Sequence, residues 1–257
     1  MRNIKDYEKK YMSDSPFEDT MVKIRKRMLV EQCEKFRHNS ILEIGCGLSP
    51  FFLDFHDFSS MYIVEPGDEF VANATNLAQK ENRHIEVFKG FLEEKAFEIK
   101  EKAGKIDFII LSSLLHELEE PEKMLKSILD ICDDDTVVHI NVPNANSLHR
   151  LIAVGSGIIN DSHEISEQMI KLQRKSVFDK ASLRNMVETT GFELINEGGC
   201  FIKPFTHLQL QRCIDNGIID ERVIVGMEQV AKIIPDYAAE IFVNVKKAKR
   251  FDIRNCY

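Results

Sequence analysis

The chain has 257 residues, 44% of them hydrophobic, enough apolar material for one large α/β domain or one domain with a cap. A net charge of −8 without an evident basic face argues against a nucleic-acid binder, and the basic run Lys246-Lys247-Ala248-Lys249-Arg250 reads as a solvated end. There is no run of about 18 apolar residues to span a membrane and no apolar signal-peptide core at the N-terminus, and the scattered cysteines, without C-x-x-C spacing, predict no zinc site and a reducing, cytoplasmic setting.

Residues 1–20 are polar with Tyr7, Tyr11 and Phe17 interspersed, and 21–37 carry Ile24, Met28, Val30, Cys33 and Phe36 at mostly helical spacing. Residues 1–37 are therefore expected to form an N-terminal segment and helix ahead of the domain proper, 38–257. Ile41-Leu42-Glu43-Ile44 reads as a strand buried on both faces, and Gly45-Cys46-Gly47 turns the chain at its end. Phe51 to Phe55 reads as a helix or turn burying aromatics. Met61 to Glu65 is a second strand, Asp68 to Lys80 a helix, and His84 to Phe88 a third strand. A fourth strand runs from Ile106 to Leu111. The proline of Pro121–Ile131 suits a first helical turn, and Thr136 to Ile140 is strand five. Beyond it the chain leaves in a Pro/Asn-rich loop. Helices are expected within 151–175, broken at Gly155–Gly157, then at 182–190, 206–215 and 220–233. Strand six is placed at 191–195, and Ala239 to Val245 closes the sheet. The segments at about 144–180 and 200–235 are read as cap insertions.

The glycine turn is a cofactor cradle in doubly wound α/β folds. Pro50 stands where a dinucleotide fingerprint needs a third glycine, and no Lys-Ser/Thr pair follows, so neither a pyrophosphate nor a P-loop ligand is indicated. Glu43 in the turn suits a ligand bearing an ammonium group. Glu65 lies 20 residues after Gly45, near the ~20 expected for a carboxylate that holds ribose hydroxyls. Ribose and ammonium without phosphate describe S-adenosylmethionine. Cys46 reads as a small residue filling tight space rather than a thiol nucleophile.

Three segments in order strengthen this. Leu42-Glu43-Ile44-Gly45-Cys46-Gly47, Ile63-Val64-Glu65-Pro66 and Ile106-Asp107-Phe108-Ile109-Ile110-Leu111-Ser112-Ser113-Leu114-Leu115-His116-Glu117-Leu118 resemble the first, second and fourth motifs of class I S-adenosylmethionine-dependent methyltransferases. The resemblance implies a Rossmann-like, seven-stranded α/β sheet with helices on both faces and a helical cap. It implies cofactor contacts at Glu43, Gly45, Cys46, Gly47, Glu65 and Pro66. It also implies contacts at Phe91 and Leu92 beside the adenine, and at Ser112 and Ser113 near the reactive methyl. Tails of this kind in the family often fold over the cofactor as a lid, and a disordered terminus stays open beside that expectation. A looser similarity, in Val142-Pro143-Asn144-Ala145-Asn146-Ser147-Leu148-His149-Arg150 and Phe201-Ile202-Lys203-Pro204, is to methyltransferases found with bacterial surface-sugar biosynthesis.

Hydroxyl methylation needs a base near the methyl, and histidine titrates near neutrality. His116, just beyond strand four, is the first candidate, with Glu117 to orient it or act instead; a histidine merely packing the next helix stays open. Asn144, His149, Arg150, His163, Lys203 and His207 are candidate acceptor contacts from the cap, the cations suited to a phosphorylated or carboxylated substrate. His139 reads as a buried core residue, and no metal cluster is expected. The acceptor is expected to be a small molecule, with neither nucleic acid nor membrane as partner and a homodimer as one possible state. An N- or carboxyl-methyltransferase, or a silent cofactor-binding regulator, remains the alternative.

Overall fold

The computed structural model describes residues 4, 16–165 and 175–249. The expected tail over the cofactor and most of the second half of the first cap insertion's helical stretch fall outside the described residues. The strands are β1 (Ser40–Ile44), β2 (Ser60–Glu65), β3 (Ile85–Lys89), β4 (Phe108–Ser112), β5 (Val137–Pro143), β6 (Phe192–Cys200) and β7 (Glu240–Lys247). They form one seven-stranded sheet in the order β3-β2-β1-β4-β5-β7-β6, in which β7 alone runs antiparallel to its neighbours. The helices are α1 (Glu18–Cys33), α2 (Asp68–Lys80), α3 (Leu92–Ala103), α4 (Pro121–Ile131), α5 (Leu148–Gly155), α6 (Lys180–Thr190), α7 (His207–Asp215) and α8 (Glu221–Ile233). Among the described residues, no helix is long and apolar enough to cross a membrane.

Each element follows from its local chemistry. All of β1 is buried, as its apolar run requires of a central strand with both faces covered. Pro121 opens α4, whose Met124, Leu125, Ile128 and Ile131 form one buried stripe. Reciprocal side-chain and backbone bonds between Asp179 and Ser182 start α6, and between Thr206 and Gln209 start α7.

The two sheet faces carry separate cores. On one, Leu42, Ile109, Val138 and Val243 meet Ile99 of α3, Leu125 and Ile128 of α4, and Leu183 and Val187 of α6. On the other, Ile41, Phe108 and Ile110 meet Ile24 and Leu29 of α1, Ala74 and Ala78 of α2, Leu210 of α7 and Ile224 of α8.

One element follows the sequence reading closely and one differs from it. The stretch after the glycine turn is a single 3-10 turn, Phe51–Leu53, with Phe51 and Phe52 buried before the chain reaches β2. Strand six extends to Cys200, past the Gly198-Gly199 pair that reads as loop. These glycines are demanded by packing: a Cβ on Gly198 would stand 2.6 Å from the Phe242 ring, and one on Gly199 would stand 2.5 Å from Ala238 Cβ.

Candidate active site

The cradle at the end of β1 depends on left-handed backbone. Gly45 has φ 75° and Gly47 φ 54°, conformations that cost other residues steric energy. The Gly45 amide donates to Val64 O at 2.9 Å. A Cβ on Gly45 would lie 2.9 Å from Leu114 Cδ2, so the segment after β4 closes directly over the turn. Glu43 is buried and its Oε2 accepts from the Phe51 amide at 2.9 Å. Burial holds its carboxyl above the usual carboxylate range, against the nearby Lys26 ammonium and the Phe51 amide, which favour the charged form. Glu43 thus braces the turn from within. Burial likewise pushes the Cys46 thiol far above its ordinary value, which leaves it a neutral filler.

Glu65 ends β2 and is 5% exposed. Its Oε1 accepts from the Gly67 amide at 2.9 Å, across Pro66, and its carbonyl accepts from Gly90 N at 3.0 Å. The exits of β2 and β3 are therefore tied together through the Glu65 backbone, while its carboxylate holds the turn after β2. Phe91 stands half-buried just before α3, whereas Leu92 is buried in the core under the sheet. A buried carboxylate beside a glycine turn that holds no lysine suits a hydroxyl-bearing ligand without a pyrophosphate.

The exit of β4 is strained. Ser113 has φ 53° and donates its amide to Asn141 O at 2.9 Å, joining β4 to β5. After Leu114 a 3-10 turn, Leu115–Glu117, buries both His116 and Glu117. His116 Nε2 lies 3.9 Å from Glu117 Oε1. The His116 carbonyl accepts from the amides of Lys175 and Ser176, which strap the turn from outside.

The cap residues divide into two groups. Asn144, Arg150 and His163 brace the cap itself. Asn144 Nδ2 donates to the Asp236 and Ala238 carbonyls, each at 2.9 Å, and its Oδ1 accepts from Asn146 N. Arg150 donates to the Ser162 carbonyl at 2.6 Å and the Glu164 carbonyl at 2.5 Å. His163 Nε2 faces Asp179 Oδ2 at 3.2 Å. His149, Lys203 and His207 form the second group at the C-terminal edge of the sheet, close enough that the cations act on the His149 ring. His139 is the core residue expected, its Nδ1 2.8 Å from Asn244 Oδ1.

One cluster escaped the sequence reading. Arg25 of α1 reaches Glu240 at the start of β7, with Nε 2.9 Å and Nη2 2.5 Å from the carboxylate oxygens. Asn141 Nδ2 donates to Glu240 Oε2 at 2.9 Å. Asn244 joins His139, Gln32 and Asn196 beside it. The available signal was a pair of polar residues on one face of each otherwise apolar strand: His139 and Asn141, two apart, in β5, and Glu240 and Asn244, four apart, in β7.

A family model described as a methyltransferase domain matches residues 17–197. No curated protein sequence matches the chain. Among solved structures, the fold is similar to an S-adenosylmethionine-dependent methyltransferase from Clostridium acetobutylicum at 9% identity and TM-score 0.55, covering 88% of this chain and 92% of that one. It is similar to the N-methyltransferase NodS of Bradyrhizobium japonicum bound to S-adenosylhomocysteine at 10% identity and TM-score 0.57, covering 96% and 98%. It is also similar to the plantazolicin methyltransferase BamL, in complex with a triazolic desmethylPZN analog and S-adenosylhomocysteine, at 15% identity and TM-score 0.57, covering 91% and 88%. Because the family model spans more than half of its length, the chain belongs to the methyltransferase-domain family and is a class I methyltransferase whose cofactor is S-adenosylmethionine.

Proposed function

We propose that the protein methylates a hydroxyl of a small metabolite, by preference a sugar or a nucleotide-linked or phosphorylated sugar used in surface-polysaccharide biosynthesis. The reaction is set in the cytoplasm, where its free, buried cysteines stay reduced. The bound cofactor supplies an electrophilic methyl on a sulfonium. The chain's own residues hold the cofactor, align the acceptor and take its proton. Gly45 and Gly47 open the backbone, with Cys46 between them, and Glu65 beside Pro66 takes the ribose hydroxyls. Phe91 flanks the base, with Leu92 packed in the core behind it, and Ser112 and Ser113 border the reacting centre.

The observation that carries the reading is the β4 exit, where Leu114 lies on Gly45 and the next turn sets His116 beside Glu117. In this reading His116 takes the acceptor proton as the new bond forms, and Glu117 stabilises the imidazolium. Burial of both excludes water from the transfer. His116→Ala is expected to lower kcat by roughly 10²–10⁴-fold, the span of general-base catalysis, with SAM affinity little changed. His116→Asn should not rescue, because an amide cannot take the proton. Activity within a few-fold of wild type would favour an amine acceptor, which needs no base. Loss of SAM binding along with kcat would make His116 a structural residue.

A further inference from the structure

Helix α1 sends two polar side chains onto the sheet from Arg25 and Gln32, two turns apart on one helix face. Arg25 Nε lies 2.9 Å from Glu240 Oε2, and Asn141 Nδ2 donates to the same oxygen at 2.9 Å. Gln32 Oε1 accepts from Asn244 Nδ2 at 3.1 Å, and Asn244 Oδ1 lies 2.8 Å from His139 Nδ1. Both branches thus run from α1 through β7 to β5. They end on neighbours, because His139 and Asn141 are two apart on one face of β5. The His139 ring leans toward Asn141: it lies 5.4 Å from the ring of Phe242, the residue opposite Asn141 in the β5–β7 pairing.

The hydrogens of this network can be placed by counting donors. Asn244 gives its two amide hydrogens to Gln32 Oε1 and to Asn196 Oδ1, the latter at 2.7 Å, so its own Oδ1 can only accept. His139 Nδ1 is then the donor, and on a neutral ring Nε2 is a bare lone pair. Burial, the leading cause, lowers this imidazole to about 4, against Asn244, Asn141 and Glu240, which favour the proton, so the ring is neutral at neutral pH. Asn141 directs its amide nitrogen at Glu240, which leaves Oδ1 as a second acceptor. Both residues are fully buried, and neither His139 Nε2 nor Asn141 Oδ1 has a hydrogen-bond partner among the described residues. Two acceptors cannot satisfy each other, and a buried acceptor left unpaired is costly.

We propose that His139 Nε2 and Asn141 Oδ1 bind one buried water, which donates one hydrogen to each. Water is the smallest group with two hydrogens to give, and buried waters sit where two or more polar atoms converge. Two bonds of about 2.8 Å span acceptors roughly 4.5–5.5 Å apart, within the ~6.7 Å that separates side chains two apart on a strand face. The water closes a ring that runs from Arg25 through Glu240, Asn141, the water, His139, Asn244 and Gln32 back to α1. Asn141 stands beside Ser112 in the β4–β5 register, and its carbonyl accepts from Ser113. The ring therefore anchors α1 to the strand that holds the strained exit of β4. It stands apart from the methyl-transfer reading, since no acceptor or cofactor takes part in it.

The test is nuclear magnetic resonance of the full chain at neutral pH. Long-range proton–nitrogen spectra of the histidine rings, with His139 assigned from its absence in His139→Phe, should show Nδ1 protonated and Nε2 bare. Rotating-frame transfer from the water resonance should reach His139 Hδ2, the ring proton beside Nε2 and remote from the Nδ1 proton, with the sign of a dipolar contact rather than of exchange. A proton on Nε2 of the neutral ring would mean a direct bond to Asn141 Oδ1, and an imidazolium would put a proton where the water belongs; either overturns the site. So does an Hδ2 that receives nothing from water. Urea unfolding gives a second measure. His139→Phe and Asn141→Leu each remove one partner of the same water, so the second substitution should change the unfolding constant at least about fivefold less once the first is in place. Full additivity would overturn the bridge. The wild-type spectra decide the matter even where a variant fails to fold.

Discussion

At the scale of single residues, the glycine turn proposed to cradle the cofactor depends on backbone conformations that few side chains tolerate. Gly45→Ala meets two separate penalties: the φ of 75° and the overlap with Leu114. The first alone costs about 1–2 kcal/mol. We expect a lower melting temperature together with at least tenfold weaker S-adenosylhomocysteine binding by calorimetry. A fall in stability with affinity intact would mean that the turn does not cradle the cofactor. Glu65→Ala should weaken S-adenosylmethionine by about 1.5–3 kcal/mol, the range for hydrogen bonds to a charged group. An unchanged dissociation constant would confine Glu65 to its bond with Gly67. These positions were legible in the sequence because glycine and carboxylate spacing along one strand–turn unit is local. Leu114 over Gly45 was not, since that contact joins residues far apart in the chain.

At the scale of elements, α1 is clamped to the sheet by charge as well as by its apolar face. Arg25 and Glu240 are both mostly buried, with side chains 13% and 5% exposed. Removing Glu240 takes away the shortest ion pair of Arg25 and leaves Glu18 Oε1 at 3.7 Å, so the loss is at most the about 3–5 kcal/mol of a broken buried pair. Glu240→Ala should therefore lower the urea midpoint strongly, and combining it with Arg25→Met should recover much of the loss. A midpoint within experimental error of wild type would show that the pair is solvated. The strands themselves were readable from their apolar runs. The extent of β6 was not, because Gly198 and Gly199 carry a turn signal in sequence and a packing role in space, under Phe242 and against Ala238. Pattern reading likewise sees Asn144 and Arg150 as exposed loop residues facing a ligand, whereas their bonds go to carbonyls of the cap.

For the molecule as a whole, buried histidines set the acid limit of stability. Burial pushes His139 down to about 4, against its bond to Asn244, whereas an unfolded histidine titrates near 6.5. As pH falls from about 6.5 to 4, the unfolded chain binds a proton that the native state refuses, so stability falls with pH. The loss approaches about 3 kcal/mol, at ~1.4 kcal/mol per tenfold in proton affinity. His149, pushed down to about 3, adds in the same direction. Glu43 works the opposite way: its raised carboxyl gains stability as it protonates. Chemical denaturation at a series of pH values should show the decline, and His139→Gln should flatten it. A pH profile that His139→Gln leaves unchanged between about pH 6.5 and 4 would show that His139 does not set this limit.

The position of β7 has a consequence for the making of the protein. β7 is synthesised after β6, yet it lies between β5 and β6 and, among the described residues, is the only strand that β6 pairs with. On the ribosome, β1 to β5 have every sheet partner they need except β7, while β6 waits with its edge bare. Arg25 must also wait for Glu240, 215 positions later. Arrested nascent chains that stop before residue 240 should thus be cut by protease at 192–200 and spared at 40–65, while chains released through residue 247 should resist at both. The half of the sheet that carries the glycine turn would then be in place first, and the half built on β6 would close only as the last strand slides between two already made.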